Sequence, residues 1–226
     1  MLTLDGTTIT GGSITDNGTV DVDASNTLKL SGVALSGGVI TNAGTIEITG
    51  DSSISNDSFA NAQLTIDANQ ILTLDGTTIT GGTVTDTGTV HVDAGNTLKL
   101  SGVALSGGAI TNAGAIEITG SGSINNDSFS NHQLTVDAKQ ILTLDGTTIT
   151  GGSITDNGTV DVDASNTLKL SGVALSGGVI TNAGTIEITG DSSISNDSFR
   201  HRQRRYPRYR QCAGERHRQH YRNRID

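Results

Sequence analysis

A block of 70 residues is written almost three times in this chain. Leu2-Thr-Leu-Asp-Gly-Thr-Thr-Ile-Thr-Gly11 returns at Leu72 and at Leu142, and residues 2–59 are identical to residues 142–199. A long fixed period marks stacked units that bury their apolar faces on one another, and it argues against a globule with one unique pocket. The copying stops after Phe199, where an Arg-rich segment follows. The chain divides into a repeat domain over 1–199, with blocks 1–70, 71–140 and 141–199, and a basic tail over 200–226.

Only 33% of the residues are hydrophobic and 3% aromatic, a content that often leaves a chain disordered. Here, however, Leu, Ile and Val alternate with Thr, Ser and Asp, which is the period of a half-buried strand. The pattern predicts order. Within each block a shorter repeat is visible. Leu2, Leu4, Ile9, Ile14, Val20 and Val22 map onto Leu28, Leu30, Leu35, Ile40, Ile46 and Ile48 at an offset of 26, and Val20 and Val22 map onto Leu64 and Ile66 at 44. The increments along Val20, Ile46, Leu64 and Val90 are 26, 18 and 26, about 23 residues per unit.

That length suits one coil of a right-handed parallel β-helix, an all-β solenoid. Each coil is expected to hold four short strands, Leu-Thr-Leu, Thr-Ile-Thr, Ser-Ile-Thr and Thr-Val-Asp-Val. Breaks fall at Asp5-Gly6, Gly11-Gly12, Asn17-Gly18 and Asp23-Ala24-Ser25-Asn26, where Gly and Asn supply corner geometry. Val20, Ile46 and Leu64 are expected to lie on one column, and about eight and a half coils at roughly 4.8 Å would give a rod on the order of 40 Å. Phe59, Phe129 and Phe199 recur in the short unit and are expected to fill the space of its missing strand. Hairpins at the Asn-Gly and Gly-Gly pairs are the competing fold, but hairpins do not require in-register repetition.

Charge is segregated. The first 199 residues hold four lysines, no arginine and 21 of the 23 carboxylates, for a net charge of −17; the tail has ten arginines against two carboxylates. An acidic body repels nucleic acid and anionic membrane, and neither is expected as a partner. The apolar runs are far too short to insert into a membrane as a helix. The body lacks cysteine, Cys212 being in the tail, and no signal peptide opens the chain. Met1 stands where Ile71 and Ile141 stand in the later copies, so the chain reads as a fragment of a longer protein. The tail reads either as a basic arm or as a frameshift product: codons for Ala-Thr-Ala-Ser read one base early give the Arg-His-Arg-Gln of residues 200–203. On both readings it is expected to be disordered.

No candidate chemistry emerges from the motifs. Asp21, Asp23, Glu47, Asp67 and Asp93 fall near strand ends, but the glycine-rich nonapeptide of calcium solenoids is absent, as Gly11-Gly12-Ser-Ile-Thr-Asp16 lacks its third glycine, and a solvated acidic face is expected. Every carboxylate belongs to a repeated series, and His91 and His132 replace Asp21 and Ala62 of the first copy, so no catalytic, cofactor-binding or metal residue is assigned and no cofactor is expected. Thr8-Ile9-Thr10 would suit an ordered crystal surface only if each coil carried it, and the next presents Ala34-Leu35-Ser36. Asn17-Gly-Thr19 and Asn56-Asp-Ser58 match the glycosylation pattern, although turn chemistry already accounts for these asparagines.

With Gly-Gly-x-Ile-Thr-Asn-x-Gly-x-Ile-x-Ile at Gly37, Gly107 and Gly177, the body resembles the repeat regions of large bacterial secreted or surface proteins, the autotransporter passengers and haemagglutinin-type adhesins. The resemblance covers residues 1–199. It implies a non-enzymatic structural or adhesive segment, a stalk or binding surface outside the cell or on its surface. The partners it implies are surface glycans or other cells, and exposed coil edges add end-to-end self-association. A carbohydrate-active β-helix enzyme and a glycan-binding module are the alternatives.

Overall fold

The structure, a computed structural model, describes residues 1–201. They form an all-β parallel solenoid without helix, of about 10 turns. Every strand pairing is parallel, and partners lie 18 to 21 residues apart along the chain, as in Leu28↔Ile46 and Ile9↔Leu30. The coil is therefore shorter than the expected 23 residues, and it has three strands rather than four. Leu2–Thr3 opens one face, Thr8–Thr10 the second and Ser13–Thr15 the third; Thr19–Val22 returns to the first and stacks on Leu2–Thr3. The long strands Val39–Ile48 and Ser58–Ile66 each serve two faces, with a register break between Asn42 and Thr45.

The sequence unit and the coil are thus different lengths. From Ile71–Asp75 to Gln133–Val136 one block contains eleven strands. At three per coil, a block advances the solenoid by three and two-thirds turns. The 26-residue units hold four strands, the 18-residue unit three. Identical sequence consequently lands on a new face in each block: Leu2 pairs on the first face, Leu72 on the third and Leu142 on the second. The expected common column fails in part for the same reason. Ile46 stacks directly on Leu64, but Val20 stacks on Ile40, one face away. Self-similarity records the repeating motif, whereas the register is fixed where three strands close a triangle.

Inward side chains form the core. On the first face Val20, Ile40, Phe59, Ile79 and Leu100 follow one another, all between 0 and 4% exposed. No coil can bury these residues alone, because each side chain needs the coil above and below it. The short unit makes a complete coil, so Phe59 and Phe129 fill no gap; they take ordinary places in a column, Phe59 between Ile40 and Ile79 and Phe129 between Ile110 and Ile149. Polar ladders share the interior. Asn42 Nδ2 donates to Asn61 Oδ1 at 3.0 Å, and Asn61 Nδ2 donates to the Thr83 carbonyl at 3.0 Å; Asn112 and Asn131 repeat the arrangement.

The last strand of the described residues, Ser198–His201, runs two residues past Phe199, so the ordered stack enters the segment assigned to the tail. The expected disorder and the frameshift origin of the remainder concern residues 202–226, which lie outside the described residues.

Candidate functional surface

Alternation turns Thr, Ser, Asp, Lys and Glu outward. Lys29 pairs with Glu47 at 2.9 Å, Lys99 with Glu117 at 3.0 Å and Lys169 with Glu187 at 3.3 Å, one pair on each face because of the block rotation. Thr8–Thr10, Thr78–Thr80 and Thr148–Thr150 likewise fall on the second, first and third faces. A flat single-face array of this motif does not form.

The acidic residues singled out in the sequence are spread along the rod. Asp23 is fully exposed, and its backbone N–H donates to Asp5 Oδ1 at 2.9 Å; the Asp5 carboxylate beside it raises its pKa. Asp93 repeats the contact with Asp75, and His91 Nε2 lies 2.9 Å from Asp93 Oδ1. His132 is exposed on a corner. Among the described residues no group of three or more His, Cys, Asp or Glu is placed to hold a metal ion. An open depression lies over Gly12, Gly32, Ser52, Ser53, Ile71 and Thr73, with Asp51 at its rim donating no proton but accepting the Ile71 N–H at 2.8 Å.

A different set of carboxylates, none of them among the acidic residues marked by the sequence motifs, is buried. Asp57, Asp86, Asp127 and Asp156 are 3%, 0%, 3% and 1% exposed, all at corners. They form three equivalent clusters, one per block: Asp16 and Asp57 lie on either side of Gly37-Gly38, Asp86 and Asp127 of Gly107-Gly108, and Asp156 and Asp197 of Gly177-Gly178. A Cβ on Gly38 would stand 2.8 Å from both Asp16 O and Asp16 Oδ2, and Gly38 has φ +91°, so only glycine lets the carboxylate pack there. Asp86 Oδ1 accepts the Gly88 N–H at 2.7 Å, and Asp156 Oδ1 the Gly158 N–H at 2.8 Å. Asp86 Oδ2 and both oxygens of Asp57 and Asp127 have no well-formed hydrogen bond among the described residues.

Desolvation dominates the electrostatics of these corners. Burial pushes Asp57 up to about 6, with the Asp16 charge adding to it and the Gly37 and Ser55 amides opposing. Burial raises Asp86 to about 6 against the amides of Gly88, Ala109 and Val90. Asp127 reaches about 7 through burial and then the Asp86 charge. Asp156 and Asp197 are raised by burial as well. Retention across the blocks does not mark these corners in the sequence, because the exposed Asp23 is kept as Asp93 and Asp163 just as Asp16 is kept as Asp86 and Asp156.

Residues 2–76 and 58–102 match the family model described as haemagglutinin repeat. The coils fit a repeat region of a haemagglutinin-type adhesin. The third block repeats the matched sequence, since residues 142–199 are identical to 2–59. The solenoid and the match together support a surface or adhesin-type repeat. No curated protein and no solved structure matches the chain.

Proposed function

We propose that this haemagglutinin-type repeat segment acts as a non-enzymatic stalk in a bacterial secreted or surface protein, presenting its outward side chains to surface glycans or other cells. The observation that carries this reading is the mismatch between eleven strands per block and three per coil. It returns each outward motif on all three faces, which suits a rod that must expose the same chemistry in every direction and whose length changes by whole blocks. A reacting centre needs the opposite, convergence of different groups on one point. The open edges at the two ends of the described stack, where Leu2 is 48% and Ile188 50% exposed, favour end-to-end association as a further behaviour.

Adding one 70-residue block should lengthen the rod by about 18 Å, three and two-thirds coils at roughly 4.8 Å, in small-angle scattering. A gain in width instead of length would refute the stalk. Binding of the purified chain to immobilised bacterial polysaccharide separates an adhesive surface from a passive spacer; the open depression over Gly32 and Ser52 is where a glycan-binding module would hold its ligand. Abolition of that binding by Ser53→Arg would favour the module, while unchanged binding would locate adhesion on the repeated faces.

A further inference from the structure

The corner carboxylates are not used by the proposed stalk role, yet each is costly to bury as an anion. Asp57 and Asp127 are 3% exposed with both oxygens lacking a well-formed hydrogen bond among the described residues, and each faces a second carboxylate across a Gly-Gly step. A buried carboxylate short of well-formed hydrogen bonds is unfavourable as an anion and far less so as a neutral acid, whose O–H can donate to a nearby carbonyl. The sequence has no Arg or Lys at these corners to neutralise them.

We propose that the corner pairs Asp16 with Asp57, Asp86 with Asp127 and Asp156 with Asp197 are proton-holding clasps, which bind successive coils together more tightly in mildly acidic surroundings than in alkaline ones. Each clasp takes a proton from solvent and gives it back when the coils part. The charged group facing Asp57 is Asp16, and the one facing Asp127 is Asp86. On the next coil the nearest titratable groups, Asp75 and Asp145, are turned away, Asp75 Oδ1 accepting the Asp93 N–H and Asp145 Oδ1 the Asp163 N–H, both at 2.9 Å. Asn56 and Asn126, beside the buried aspartates, and Thr77 and Thr147 on the coil above are neutral.

The direction follows from linkage. An unfolded aspartate titrates near 3.8, while Asp57 and Asp86 in the fold titrate near 6 and Asp127 near 7. Between those values the folded chain holds more protons than the unfolded one, so stability is full at the acid end and is lost as pH rises through 6 to 7.

The test uses the full chain and follows urea unfolding by circular dichroism at pH 5 and pH 8. The midpoint is expected to be higher at pH 5. Asp57→Asn with Asp127→Asn should raise the midpoint at pH 8 and shrink the difference between the two pH values. Asp191→Asn removes the same kind of charge at an exposed position and should leave that difference in place, which separates the clasps from general relief of acidic repulsion. A midpoint at pH 8 equal to or above that at pH 5, or a double variant that keeps the full difference, overturns the proposal. Should the double variant fail to fold, carboxyl carbon NMR of the unaltered chain decides the matter. Aspartates titrating between pH 6 and 7 support the clasps, and titration of every aspartate near 4 refutes them.

Discussion

Phe59 and Phe199 offer an internal control, because residues 51–59 and 191–199 are identical in sequence but differ in what lies above them. Phe59 is 0% exposed between Ile40 and Ile79, whereas Phe199 is 61% exposed on the last coil of the described residues. Truncating a fully buried Phe to Ala forfeits its transfer free energy and leaves a cavity, about 3–5 kcal/mol in total. Flanking coils of the solenoid are held in register by their backbone bonds, so the space above and below Phe59 has little freedom to collapse. Phe59→Ala is expected near the upper part of that range, and Phe199→Ala, scaled by its exposure, below about 1.5 kcal/mol. With a urea slope of about 2–3 kcal/mol/M, the midpoint falls by roughly 1–2 M in the first variant and by a small fraction of that in the second. Phe59→Leu, which fits a column otherwise built of Ile, Val and Leu, should cost less than half of Phe59→Ala. Equal losses for the two alanine variants, or a loss under 1 kcal/mol at Phe59, would refute the stacking argument.

Three further outcomes are expected in the same assay. Gly114→Ala would bring a Cβ to 2.5 Å from the Asp93 carbonyl and against that of Asn96, at an ordinary φ, and should cost about 1–3 kcal/mol, whereas Gly18→Ala, with no atom nearer than 3.6 Å, should be close to neutral. Lys139 has φ +69° at the third position of the Asp137-Ala138-Lys139 turn, which Gly95 fills in the equivalent turn 44 residues earlier, so Lys139→Gly should stabilise by up to about 1 kcal/mol, and a loss of stability would contradict the strain. Asn112→Ala removes the donor to Asn131 Oδ1 and to the Gln133 carbonyl at 2.8 Å, and leaving those acceptors buried should cost about 1–3 kcal/mol.

Much of this architecture could be read from the chain. Alternating Leu, Ile and Val in short runs gave the parallel all-β stack, and the Gly-rich breaks gave its corners, because strand period and turn chemistry are local properties. Resemblance to haemagglutinin-type repeats was legible in Gly37–Ile48 and its copies, and the family match agrees. The coil length was not legible. Leu2 and Leu28 are alike because the motif recurs, yet Leu2 stacks on Val20 and Leu28 on Ile46.

The sequence alone therefore determined that inward aliphatic side chains would need neighbouring coils to cover them, since no single coil holds enough apolar surface. Only the tertiary structure decided that three strands close a turn, that each block is rotated onto a new face, and that Asp57 and Asp127 are buried while Asp23 is in water. An aspartate at a turn looks the same in all these cases. Its environment is set by residues one and two coils away, and that distance along the chain exists only once the register is known.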